Sequence, residues 1–400
     1  MVGKVITAGA AVLISALVAR SLGPDGFGGF TIMTTYAAMF YMAADFGFNA
    51  IILREAGGGE DRLKDGFSKL LGLRLVYSLV LVFLALALLS FFPYHPMVKL
   101  ATIVTILTII TQALYSTANL VFQFKLRYDL SVVAAAVGSL LNLSIVFILA
   151  QGQVSLIAVA LSYVAAGVAM AAVALSLVKT LIGHFQPQFT PGEWLKLTAL
   201  TLPVGLTLIF NLVYFRADAF ILSFIKPSVD VGIYGAAYKI FEVVLVLPTF
   251  LMNALYPVLI KSFETDRAKF RQSVRLAILG LAGIGLGGAV AGILLAPWGV
   301  NFLYGGKFAD SVLPLQLLLA SMPIFFLSSL YMWLLLLLKR QKVMAVVYAF
   351  GMITNIALNL YFIPQYSYLA AALITGISEA VILLLTYYLA REWKNENPTT

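Results

Sequence analysis

The chain has 400 residues, of which 62% are hydrophobic and 11% charged, and its mean hydropathy is +0.99. A soluble domain of that length needs far more charge to cover its surface, so the composition excludes a water-soluble globular protein and indicates a polytopic membrane protein. The formal charge of +9 is first a matter of the positive-inside rule and does not make nucleic acid an expected partner, and the absence of cysteine excludes disulfides, thiolate metal sites and cysteine nucleophiles.

About 20 apolar residues in a helix cross the hydrocarbon core. Breaks at Gly, Pro and charge clusters predict twelve such stretches, at 2–20, 26–53, 69–92, 97–124, 129–150, 154–181, 196–225, 230–260, 272–296, 309–338, 342–363 and 366–391. Span 1 is expected to be a true helix rather than a cleavable signal, because Val18-Ala19-Arg20 runs straight into Ser21-Leu22-Gly23-Pro24 with no clear cleavage site. The longest polar stretches, 55–69, 183–196 and 263–275, are each only a loop's worth of residues. Pro203, Pro248, Pro257 and Pro323 fall inside spans and are expected to bend them.

With twelve spans both termini share one face. Taking the termini with alternate loops as that face, it carries twenty Lys and Arg, with Lys69 and Arg74 counted in the loop after span 2 and Lys394 at the C-terminus. The opposite face carries only Arg20, Lys99, Lys226 and Lys307. The termini are therefore expected to be cytoplasmic, in the plasma (cell inner) membrane.

An internal repeat shows at an offset of about 204 residues. Phe27-Gly28-Gly29-Phe30 matches Val231-Gly232-Ile233-Tyr234, and Glu60-Asp61-Arg62-Leu63-Lys64 resembles Glu264-Thr265-Asp266-Arg267-Ala268-Lys269. The predicted organisation is a six-helix lobe over 1–182, a cytoplasmic linker over 183–195 with Pro187 and Pro191, and a second six-helix lobe over 196–400. Six spans per repeat make the halves parallel, related by a pseudo-two-fold along the membrane normal, with a central cavity suited to alternating access.

Charges inside the spans point most directly to function, since each is expensive in hydrocarbon. Arg216 and Asp218 lie roughly 9 to 12 Å from the outer end of span 7, and Lys239 and Glu242 roughly 13 to 18 Å below the outer end of span 8. The four can form one cluster at matching depth, either a self-neutralised lock between two helices or a polar wall for an anionic or hydroxylated ligand. Asp45 in span 2, near Gly47 and Asn49, and Glu379 in span 12 are candidates for ion coupling, or else neutral hydrogen-bonded helix contacts. The amides Gln112, Asn119, Asn142, Asn211, Asn253, Asn355 and Asn359 are expected mostly to join helices. His95 and His184 both sit in loops, and Gly57-Gly58-Gly59 lacks the Lys-Ser/Thr of a phosphate loop, so neither histidine catalysis in the membrane nor nucleotide hydrolysis is indicated.

Ala19-Arg20-Ser21-Leu22-Gly23-Pro24 with Phe27-Gly28 and Phe30 resembles the first-loop signature of polysaccharide-type flippases in the multidrug/oligosaccharidyl-lipid/polysaccharide exporter superfamily. Ala44-Asp45-Phe46-Gly47-Phe48-Asn49 with Arg54-Glu55 resembles the end of span 2 in that family, and Asp218, Val231-Gly232-Ile233-Tyr234, Ala237, Lys239, Pro248 and Pro257 its spans 7 and 8. The resemblance implies an all-α membrane fold of twelve helices in two six-helix lobes, and transport of a polyprenyl- or dolichyl-linked sugar without enzymatic chemistry or a cofactor. Arg216, Asp218, Lys239, Glu242, Arg20 and Asn49 are then the expected substrate contacts. The expected partners are the lipid-linked oligosaccharide, membrane lipids and glycosyltransferases or a polymerase of the same pathway. Two alternatives remain: a proton- or sodium-coupled exporter of organic cations on the same fold, and a membrane scaffold or enzyme of glycan assembly.

Overall fold

In hydrocarbon no water can satisfy a peptide N–H or C=O, so an apolar chain of this kind crosses a bilayer as helices. The computed structural model describes residues 2–55 and 59–391, and among them every regular element is helical. Gly57, Gly58 and Lys394 lie outside the described residues, as do the side chains of Lys4, Arg54 and Pro203. The chain divides into two compact units, Met1–Arg216 and Ala217–Thr400.

The first unit contains α1 (Val2–Asp45), α2 (Phe48–Glu55), α3 (Glu60–Leu89), α4 (Pro96–Ile106), α5 (Thr108–Phe124), α6 (Tyr128–Leu149), α7 (Leu156–Ile182) and most of α8 (Pro191–Ile225). Predicted spans 1 and 2 are two legs of α1, folded at Gly23 (φ 68°, ψ −175°) with Pro24 opening the second leg. Only glycine enters that conformation freely, and Pro lacks the N–H that a helix start cannot use. Span 2 is not continuous over 26–53 as predicted: it stops at Asp45, turns through Phe46 (φ 42°) and Gly47 (φ 73°), and resumes as α2.

The core of this unit joins Phe46, Phe48, Phe67, Leu70, Leu120 and Phe122, and Trp194, Leu197 and Ile209 from α8 pack against it. The boundary between units consequently falls inside α8 and not at the predicted linker. The linker itself is strapped to α3: Gln188 N–H donates to Ser68 O at 2.9 Å, the Phe185 and Phe67 rings meet at 4.9 Å, and Lys69 bridges Asp65 and Glu193 at 2.9 and 2.8 Å. Gly72 makes this possible, because a Cβ there would run into the Gln188 carbonyl.

The second unit continues with α9 (Ser228–Val244), α10 (Val246–Thr265), α11 (Arg267–Tyr304), a 3-10 turn (Gly306–Ser311), α12 (Val312–Ala320), α13 (Met322–Leu337) and α14 (Gln341–Ala390). Predicted spans 11 and 12 are two legs of α14, folded at Ser367 (φ 50°, ψ −134°). The Ser367 hydroxyl donates to Asp230, and Lys226 Nζ donates to Pro364 O at 2.8 Å, so both charges of the α8–α9 turn hold this fold point. Span 8 breaks at Leu245, three residues before Pro248, and span 10 at Ser321, two before Pro323.

Ten apolar helical stretches among the described residues are long enough to cross a membrane. The folds in α1 and α14 divide two of them, which yields the twelve predicted legs. The internal repeat is visible in local geometry. Spans 2 and 8 both break, as do spans 4 (at Leu107) and 10 (at Ser321). After them, the ends of α5 and α13 carry the same cap: Leu126 N–H to Gln123 O and Arg127 N–H to Phe122 O in one, Lys339 N–H to Leu336 O and Arg340 N–H to Leu335 O in the other. This is a Schellman closure, and both copies place a non-glycine residue at positive φ, Leu126 at 55° and Lys339 at 58°.

Candidate functional site

The first unit carries its charge at the break in span 2. Asp45 ends α1, and its carboxylate accepts from Arg74 Nη2 at 2.7 Å and from Ser116 Oγ at 2.6 Å. Stopping the helix also frees the Asp45 carbonyl, which takes a second bond from Arg74 Nη2 at 3.2 Å. Asn49, the second residue of α2, donates to Ser116 O at 2.9 Å. Arg74 was expected in a cytoplasmic loop; instead it lies inside α3 with its side chain 0% exposed. An arginine so buried needs both a counter-charge and acceptors for its fork, and Asp45 supplies both. The Asp45 side chain itself stays 47% exposed.

In the second unit Asp218 is buried near the C-terminal end of α8. Tyr234 of α9 and Thr375 of α14 donate their hydroxyls to it, Thr375 at 3.0 Å, and Asp218 Oδ1 also accepts from the Ala219 N–H at 2.7 Å. Lys239 and Glu242 pair at 3.0 Å, as their three-residue spacing predicts, and their side chains remain 32% and 35% exposed. Lys239 lies five residues beyond Tyr234, which is about 140° around α9 and about 7.5 Å along it. The Asp218–Tyr234 contact and the Lys239–Glu242 pair therefore lie on different faces of α9. Arg216, half-buried, lies two residues before Asp218 in α8.

Glu379, on the second leg of α14, is 5% exposed and accepts from the Ser328 hydroxyl of α13. One residue earlier, Ser378 accepts from Asn355 Nδ2 at 3.3 Å, tying the two legs of α14 together. Asn142 plays the expected joining role in the first unit, accepting from Ser162 Oγ at 2.8 Å. Arg20 is exposed three residues before the fold at Gly23. Among the described residues no group of three or more His, Cys, Asp or Glu gathers that could hold a metal ion.

Sequence reasoning missed Arg74, Ser116, Thr375 and Ser328. Arg74 had a signal in its apolar neighbours Leu73, Leu75 and Val76. The hydroxyl residues had none, since Ser and Thr are ordinary in membrane helices.

The family model described as polysaccharide biosynthesis protein matches residues 1–263. No curated protein matches the sequence. Among solved structures the chain is similar to the lipid II flippase MurJ in its inward closed conformation, at 15% identity over 98% of this chain and 87% of that one, with a TM-score of 0.76. It is similar also to an inward-facing multidrug resistance MATE family transporter of the MOP superfamily, at 15% identity over 96% and 94%, TM-score 0.78. A third is a MOP superfamily transporter from Pyrococcus furiosus with a binding pocket of reverse polarity, at 15% identity over 98% and 95%, TM-score 0.65. The all-helical, two-lobe, twelve-helix fold of these proteins is the fold of this chain.

Proposed function

Since the chain belongs to the polysaccharide biosynthesis protein family and is a multi-pass membrane protein, we propose that it is a flippase, moving a lipid-linked oligosaccharide from the cytoplasmic to the outer leaflet by alternating access. The observation that carries this reading is that charged side chains stay open within apolar helices: Asp45 is 47%, Lys239 32% and Glu242 35% exposed. Facing hydrocarbon, each would cost several kcal/mol, about 2.5–3.5 on the most lenient scale. Facing a polar path, they can replace the hydration of a phosphate and its sugars as the head group crosses.

In this mechanism Arg216 and Lys239 take the phosphate oxygens, the first as a fork and the second as a point charge. Glu242 orients Lys239, Asn49 and Arg20 meet sugar hydroxyls or the entering head group, and Asp218, buried, holds the Tyr234 and Thr375 hydroxyls in place. The lipid tail stays in the bilayer. No covalent step is required, so the protein acts as a transporter and not as an enzyme. Asp45 and Glu379 are the sites at which a cation would couple to the movement. Both termini lie in the cytoplasm, on the side of the glycosyltransferases that make the substrate.

A reconstituted assay tests this: proteoliposomes loaded with a fluorescent prenyl-pyrophosphate sugar, quenched from outside. The Arg216→Ala, Lys239→Ala double variant is expected to lose at least tenfold in flipping rate while remaining folded; full activity would remove both residues from the mechanism. The exporter alternative is favoured by one feature, the open carboxylate of Asp45, which suits an organic cation better than a phosphate. Efflux of tetraphenylphosphonium that disappears in Asp45→Asn, with no flipping of the sugar lipid, would decide for it.

A further inference from the structure

The second unit presents an unusually long helix to the bilayer. α11 has 38 residues, about 57 Å of helix, against a hydrocarbon core of about 30 Å. Its depth can be read from its own exposed side chains. Trp298 and Phe302 stack at 5.1 Å between centroids and are 66% and 60% exposed, as aromatic residues are at a membrane interface. Leu279, Leu286, Val290 and Leu294 are 61%, 60%, 53% and 74% exposed, a continuous apolar stripe of the kind that faces lipid. From Trp298 down to Leu279 is about 28 Å, so the hydrocarbon is used up at Leu279.

The next two turns carry Arg275 and Arg271, both exposed, about 6 and 12 Å beyond that level. With 100° per residue, Arg271, Arg275, Leu279, Leu286 and Val290 fall within an arc of about 100°. The arginines thus continue the lipid-facing stripe of the same helix. Lys269 and Lys261, also exposed, stand at the same end of the α10–α11 hairpin. Asp266 caps α11 through the N–H groups of Ala268 and Lys269 and pairs with the Lys269 ammonium at 3.8 Å. In the first unit the repeat-equivalent start of α3 carries Arg62 and Lys64, with Lys125 paired to Glu60 and Lys69 to Asp65 and Glu193 nearby.

We propose that the Arg271–Arg275 stripe is a docking surface for anionic phospholipid headgroups of the adjacent leaflet. Arginines on the lipid-facing side, at headgroup depth, meet phosphates that belong to the bilayer, and a fork geometry takes two phosphate oxygens at once. The contact fixes α11 in height and orientation while other helices of the protein move, and it makes activity sensitive to anionic lipid. This inference is independent of which substrate is carried.

The test uses the full-length protein in detergent, with phosphatidylglycerol and phosphatidylcholine as probes and retained lipid counted by native mass spectrometry. The wild type is expected to hold phosphatidylglycerol at least tenfold more tightly than phosphatidylcholine. Arg271→Gln with Arg275→Gln should remove most of that preference, and Arg271→Lys with Arg275→Lys should keep part of it. The matched pair Arg62→Gln, Lys64→Gln in the first unit should change nothing. Three outcomes overturn the proposal: preference intact in the Gln pair, equal loss in the first-unit pair, or displacement of the lipid by 10 mM inorganic phosphate, which would mark a free-anion site. Because all four residues are exposed on helices, an unaltered elution profile and melting curve verify the fold of each variant.

Discussion

Arg74 shows how a single residue organises the first unit. Its guanidinium has no access to solvent, and its Nη2 holds both the carboxylate and the freed carbonyl of Asp45 where span 2 breaks. Removing the carboxylate leaves the buried guanidinium uncompensated, at about 3–5 kcal/mol, whereas Asp45, 47% exposed, keeps its solvation when Arg74 is removed. Asp45→Asn should therefore lower the melting temperature of the purified protein markedly, and Arg74→Met less. The Arg74→Met, Asp45→Asn double variant should cost far less than their sum, and strict additivity in that cycle would mean the pair is not coupled. Half of this unit was legible beforehand. Asp45 stands out as an acid inside an apolar run, but a basic residue a few positions from a span end is absorbed into the loop count, so its partner stayed hidden. The same limit applied to Asp218: rise per residue gave its depth, while its partners proved to be the hydroxyls of Tyr234 and Thr375.

At the scale of elements, the breaks decide where side chains of consecutive turns point. Gly23-Pro24 announces itself, and Pro248 and Pro323 mark breaks that fall two or three residues before them. Leu107 carries no such mark, since nothing about a leucine disfavours a helix, and that interruption comes from packing alone. The paired caps after spans 4 and 10 offer a direct test of strain. Leu126 and Lys339 both occupy the left-handed region, where a side chain costs about 1–2 kcal/mol relative to glycine. Leu126→Gly and Lys339→Gly should each stabilise the protein by about 0.5–1 kcal/mol, the gain from released strain being partly offset by the freer unfolded chain. Thermal unfolding in one detergent reads both; a lower melting temperature would mean that the lost side chains contribute more than the strain.

For the whole molecule, orientation in the membrane governs every functional statement, because inner and outer ends of a transporter see different substrates. The charge bias that sets it survives the loss of Arg74 from the loop count, leaving nineteen basic residues against four. The folds at Gly23 and Ser367 preserve the even number of legs on which the shared side of the termini depends. This yields a topology that can be measured without first altering the protein, since the chain contains no cysteine. Single cysteines introduced at Lys269, in the α10–α11 hairpin, and at Lys307, in the turn after α11, sit at opposite ends of one 38-residue helix. In intact cells a membrane-impermeant maleimide should label Lys307→Cys and spare Lys269→Cys, and opening the cells should expose the second. Arg62→Cys should follow Lys269→Cys, and Lys99→Cys should follow Lys307→Cys, because the repeat places each pair on one face. Labelling of Arg62→Cys and Lys307→Cys from the same side would break the parallel arrangement of the two halves. Labelling of Lys269→Cys alone from outside would invert the protein, and the Arg271–Arg275 stripe would then face the other leaflet.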